Sequence, residues 1–197
     1  MVNTHEQSIT EKGSHGSGVF IALVPWVLFT VVAEHGTLKL ASVAALVIAI
    51  GISLPGILKG RPKLLELGAV IAFIGFTVVA FAADASLGEF VERYARAIAA
   101  ALLALIAFAS LTAVPFTEQY ARDEVPRELW SSPTFKSVNR RLTVMWGTVF
   151  AAMVPFHIAA GAIDTRPTNI VFNWLIPIGL VLWGIKQTSI ITEHEEA

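Results

Sequence analysis

The sequence predicts an all-α membrane protein, a bundle of six transmembrane helices with an interfacial segment between helices 4 and 5. Three observations carry this. Hydrophobic residues make up 55% of the 197 and charged residues 15%, against about 45–50% and about 25% in soluble domains. The apolar residues gather in six runs of about 20, the length that crosses an ~30 Å hydrocarbon core at ~1.5 Å per residue. No period-two alternation marks barrel strands, and in lipid a helix pairs its own backbone groups.

Taken in order, residues 1–18 are polar, Gly/Ser-containing and mixed in charge, with no signal-peptide core, and are expected to form a disordered cytoplasmic tail. The membrane domain spans 19–190. Its runs are Val19–Ala33, Leu38–Leu58, Leu64–Ala83, Ala95–Val114, Leu142–Ile163 and Ile170–Thr188. The first is short unless it continues through Glu34, and the fourth can begin early, at Glu89 or Phe90, placing Glu92 and Arg96 at ion-pair spacing. Residues 191–197 form a C-terminal tail.

Pro25, Pro155 and Pro177 fall inside runs and should bend them or free a carbonyl. Ala97, Ala100, Ala101 and Ala104 form a small-residue strip in the fourth run. Gly68 with Ala72, and Gly147 with Ala151, offer similar close approach. Val24-Pro25-Trp26 with Glu34 weakly echoes Val154-Pro155-Phe156 with Asp164, the spacing a repeat would give.

Orientation follows from Lys and Arg. One side of a six-span bundle carries Lys12, Lys59, Arg61, Lys63, Arg122, Arg127, Lys136, Arg140, Arg141 and Lys186. The other carries only Lys39, Arg93, Arg96 and Arg166. The positive-inside rule places both termini in the cytoplasm.

Composition also excludes. A net charge of −1 with no basic stripe argues against a nucleic-acid partner. The absence of cysteine removes thiolate catalysis, iron–sulfur ligation and disulfides. No GxSxG, HExxH, P-loop or dinucleotide fingerprint is present. No catalytic residue, cofactor or metal is expected, and the lipid bilayer is the primary partner.

Two groups of residues remain as candidates. His157 and Asn173 lie at membrane depth, where ionisable and polar groups are unusual. His157 could relay protons, or donate as a neutral imidazole to a neighbouring helix. No second histidine shares its face, so a metal site is not supported. Asn173 could face a cavity or join helices.

The second group lies in the polar connection 115–141 and its exit to Trp146. Pro115, Pro126 and Pro133 punctuate it. Five basic and four acidic side chains between Thr117 and Arg141 interleave with Phe116, Tyr120, Leu129, Trp130 and Phe135, a pattern suited to the headgroup region. Candidate lipid-contacting positions are Glu118, Tyr120, Arg122, Trp130, Asn139, Arg140, Arg141 and Trp146. A structural hinge and a lipid or partner docking surface both fit.

The hairpin LVPWVLFTVVAEHGTLKLASVAALVIAI and the order Pro115, Phe116, Pro126, Phe135, Asn139, followed by Trp146 and Phe150, resemble the intracellular septation protein A family of bacterial inner-membrane proteins. Asn139 and Trp146 stand a turn further apart than that pattern has them. The resemblance implies a multi-pass inner-membrane protein without catalytic residues, supporting cell-envelope integrity, septation or lipid homeostasis, with other envelope membrane proteins as partners. A small-molecule or ion transporter or channel is the alternative, and a membrane enzyme acting on lipids a third.

Overall fold

A computed structural model describes residues 17–193, and among these the chain is helical with no strand. Six helices are long and apolar enough to cross a membrane. They are α1 (Ser17–His35), α2 (Leu38–Leu58), α3 (Leu64–Ala82), α4 (Ala85–Ser110), α6 (Pro133–Ile163) and α7 (Arg166–Glu193). Between α4 and α6 lie the short helix α5 (Phe116–Ala121) and a 3₁₀ turn at Arg127–Leu129. Of the tails predicted for 1–18 and 191–197, Ser17 and Gly18 belong to α1 and residues 191–193 to α7, and the rest lie outside the described residues.

With six spans, Ser17 and Glu193 fall at the same end of the bundle, here the near end. The α2–α3 loop and the α4–α6 connection share that end. At the far end sit the α1–α2, α3–α4 and α6–α7 turns.

Local chemistry sets the helix starts, and it moves two of them from where hydropathy puts them. Asp84 accepts from the Leu87 amide at 2.9 Å, so α4 begins at Ala85, ten residues before the apolar run. Ser132 accepts from the Phe135 amide at 3.2 Å with Pro133 in the first turn, so α6 begins well ahead of Leu142. Each such cap stabilises its helix by about 1 kcal/mol. The polar connection thus narrows to 111–132, and Phe135 to Arg141 are helical. Thr37 and Thr165 cap α2 and α7 in the same way.

The centre of the bundle is the antiparallel pair α4 and α6, held close by glycine. A Cβ at Gly147 would lie 2.9 Å from Phe108, and one at Gly161 would lie 3.0 Å from the Arg93 carbonyl and 2.9 Å from Tyr94. Gly68 of α3 sits as tightly against Ile106 of α4, where a Cβ would meet a carbon at 2.4 Å. The close approach expected at Gly68 and Gly147 is present. The alanine strip differs by one position: Ala97, Ala100 and Ala104 are buried, but Ala101 is exposed and Ala107 takes its place. Residues 97, 100, 104 and 107 follow the helical 3–4 spacing, and Ala101 lies about a quarter of a turn off their common direction.

On the other flank, Trp26 and Phe29 of α1 interlock with Phe73 and Phe76 of α3, ring centroids 4.6–5.3 Å apart for the three closest pairs. Leu40, Val47, Ile71, Phe81, Leu105 and Leu182 point outward. In water such a surface would aggregate; around a membrane bundle it is the face that lipid tails cover. Pro177 lacks the N–H that would close on the Asn173 carbonyl, and the chain there forms a π-helical turn over Val171–Leu175.

Candidate functional site

The near-end site is built from two loops. Lys59 to Lys63 join α2 to α3 through Gly60, whose φ of 67° is the left-handed turn that glycine permits. The Arg61 amide closes that turn on the Gly56 carbonyl at 2.8 Å. Facing it, α5 is fixed to the bundle by a run of hydrogen bonds. The Phe116 amide donates to Ser110 Oγ at 2.9 Å, and Thr117 Oγ1 donates to the Asn139 carbonyl at 2.7 Å while lying 2.8 Å from Thr143 Oγ1.

The two loops are then joined to each other. Gln119 Oε1 accepts from the Leu64 amide at 2.7 Å, satisfying an N–H that the start of α3 would leave open. Lys63 Nζ reaches Asp123 Oδ2 at 2.5 Å and lies 4.1 Å from the Tyr120 ring centre. The Tyr120 hydroxyl points to Glu66 Oε1 at 3.5 Å. Burial, and then the Glu66 charge, hold the Tyr120 phenol above the usual tyrosine range, so it stays protonated and able to donate.

Arg122 donates through Nε and Nη2 to Glu118 Oε1, at 3.1 and 2.5 Å, over a carboxylate that is itself buried. Its guanidinium carbon lies 5.1 Å from the Trp130 ring centre, and that of Arg127 lies 5.5 Å from it. Trp130 is pinned by its indole N–H to the Val125 carbonyl at 2.9 Å. Two guanidinium groups are thus spread on one fixed aromatic surface.

Together these walls enclose an open pocket of about 750 Å³. Its polar part holds Lys59, Arg61, Lys63, Arg122 and Arg127 against Glu66 and Asp123, and its apolar part holds Ile52, Pro55, Leu64, Ala113 and Val114. The volume suits an organic ligand. Cationic and hydrocarbon side chains lining one pocket suit an anionic amphiphile.

A second polar group crosses the bundle toward the far end. Arg96 of α4 pairs with Glu34 of α1 and donates to the Thr30 carbonyl at 3.3 Å. Its Nε is buried with no partner. The pair expected between Glu92 and Arg96 does not form: Glu92 is exposed, while Arg96 faces α1 and pairs with Glu34. Level with Arg96 and within reach of its charge, His157 Nδ1–H donates to Asn173 Oδ1 at 2.8 Å, and Asn173 Nδ2 donates to Asn169 Oδ1 at 3.2 Å. The imidazole therefore joins α6 to the π-helical turn of α7 through a side chain, not a backbone carbonyl. Among the described residues no three His, Asp or Glu side chains cluster as metal ligands would.

The predicted residues thus separate. Arg122 and Trp130 line the pocket, while Glu118 and Tyr120 lie behind its lining, Glu118 against Arg122 and Tyr120 against Lys63 and Glu66. Asn139 is buried beside them, but its amide N–H bonds the Phe135 carbonyl in its own helix at 2.8 Å, and it helps only by holding α5. Arg140 and Arg141 are exposed on another side of α6, along a shallow depression with Ser137, Val144 and Met145. Trp146 is a helix joint, donating to Thr188 Oγ1 at 3.1 Å and packing over Gly184. His157 and Asn173 belong to the far-end group.

Sequence reasoning missed Glu66 and Gln119 and used Lys59, Arg61 and Lys63 only for orientation. Glu66 carried a signal, as the one acid in the first turn of an otherwise apolar run. The pairing of two loops 50 to 60 residues apart carried none.

No family model, curated protein or solved structure matches the chain.

Proposed function

We propose that this is a multi-pass protein of the bacterial inner membrane that binds anionic lipid headgroups at its cytoplasmic face and serves envelope or lipid homeostasis without catalysing a reaction. The single observation that carries this reading is the pocket. Five basic side chains from two loops line it, two of them on the Trp130 ring, together with apolar residues of α2, the start of α3 and the segment after α4. The excess of Lys and Arg at the near end supports a cytoplasmic assignment for that end, where anionic lipids attract each basic residue by about 1 kcal/mol. A pocket at headgroup level lined by both cations and apolar side chains lets a lipid seat its phosphate among the cations and keep its chains against the bundle.

Native mass spectrometry of the delipidated protein tests this. Phosphatidylglycerol is expected to be retained in preference to phosphatidylcholine. Arg61→Ala together with Arg127→Ala should weaken that retention about 25-fold, from two charges at about 1 kcal/mol each. Equal retention of the two lipids by the unaltered protein would contradict the reading.

A further inference from the structure

We propose that the near-end pocket selects a phosphomonoester, a dianion, over the phosphodiester of ordinary anionic lipids. This rests on the headgroup reading above and goes further, to the class of headgroup. The reasoning is a charge balance. Five cations line the pocket with two carboxylates, Glu66 and Asp123, and Glu118 lies under Arg122 as a third. Two positive charges are left over.

Which cations are uncommitted is also visible. Lys63 is held by Asp123 and Arg122 by Glu118, each at 2.5 Å. Among the described residues Lys59 and Arg61 have no ion pair, and Arg127 has only the Trp130 ring. A phosphodiester brings one charge and two free oxygens. A phosphomonoester brings about −1.5 to −2 at neutral pH and three strong acceptor oxygens, matching both the surplus charge and three uncommitted donors. Guanidinium forks favour such an oxygen cluster over a single point charge.

The same chemistry could come from a lipid or from a soluble phosphate. The apolar side chains in the lining, Ile52, Leu64 and Val114, favour the lipid, because a soluble phosphate leaves them unused.

The test titrates the full chain in detergent with phosphatidic acid, phosphatidylglycerol, phosphatidylcholine and glycerol 3-phosphate. At pH 7.5 phosphatidic acid should bind about fivefold more tightly than phosphatidylglycerol, the effect of one further charge. That margin should shrink at pH 5.5, where the second phosphate proton returns (pKa about 6). Phosphatidylglycerol, run alongside, reports any titration of Glu66 or Asp123. Arg61→Gln should reduce the margin.

Equal binding of the two anionic lipids would overturn the dianion inference and leave the headgroup reading standing. Binding of neither above phosphatidylcholine would overturn both. Displacement of phosphatidic acid by an equal concentration of glycerol 3-phosphate would overturn the lipid assignment.

Discussion

Glu34→Ala is expected to lower the stability of the folded bundle by about 2–3 kcal/mol, more than Arg96→Met does. The asymmetry comes from what each change leaves behind. Removing Glu34 strands a guanidinium whose Nε is already buried without a partner and whose remaining bond is to the Thr30 carbonyl. Breaking one side of a buried ion pair costs about 3–5 kcal/mol, reduced here because the side chains keep 17% and 29% of their exposure.

Removing Arg96 instead leaves a carboxylate near the end of α1 that water can reach, and methionine refills the space. Replacing both partners by apolar groups is often close to neutral. Glu34→Ala with Arg96→Met should therefore recover most of the loss. Thermal unfolding in detergent reads all three variants. Equal losses for the two single variants, with additive loss in the double, would show that the pair does not act as described.

Gly161→Leu should be the most damaging single substitution in the α4–α6 contact. A Cβ at this position meets the Arg93 carbonyl at 3.0 Å, and a backbone atom cannot rotate away as a side chain can. Overpacking of this kind costs about 1–3 kcal/mol, and with backbone opposing it the effect should sit at the top of that range. Leucine at Gly51, where nothing lies within 4 Å, is the control and should change stability by less than about 0.5 kcal/mol. The chain has no cysteine, so disulfide exchange does not complicate unfolding. Equal behaviour of the two variants would mean that close helix approach at Gly161 is not needed.

Much of the architecture is legible in the sequence because the bilayer imposes a length and a polarity on each span. Leu38–Leu58 is bounded as read, and Leu64 begins α3 as expected. The starts of α4 and α6 were not legible from hydropathy. Their first turns are polar and are set by Asp84 and by Ser132 with Pro133, one capping bond at a time.

At the site, Glu118, Tyr120, Arg122 and Trp130 stand out in sequence because charge and aromatic side chains are crowded into a short stretch. Lys63 and Glu66 do not. Their part depends on Gln119 and Asp123 reaching across from another loop, a tertiary contact with no local pattern. Arg140 and Arg141 show the converse. Adjacent charges suggest a shared task, yet α6 turns them away from the pocket.

Trp130, flanked by Arg122 and Arg127, lines the pocket proposed to hold an anionic headgroup. Tryptophan quenching by lipids brominated at the upper acyl chain tests it most directly, with Trp130→Phe subtracted to isolate that residue among the five tryptophans. The expected result is stronger quenching of Trp130 by brominated phosphatidylglycerol than by brominated phosphatidylcholine, with the difference removed by Arg61→Glu and Arg127→Glu. Identical quenching by the two lipids in the unaltered protein would contradict it.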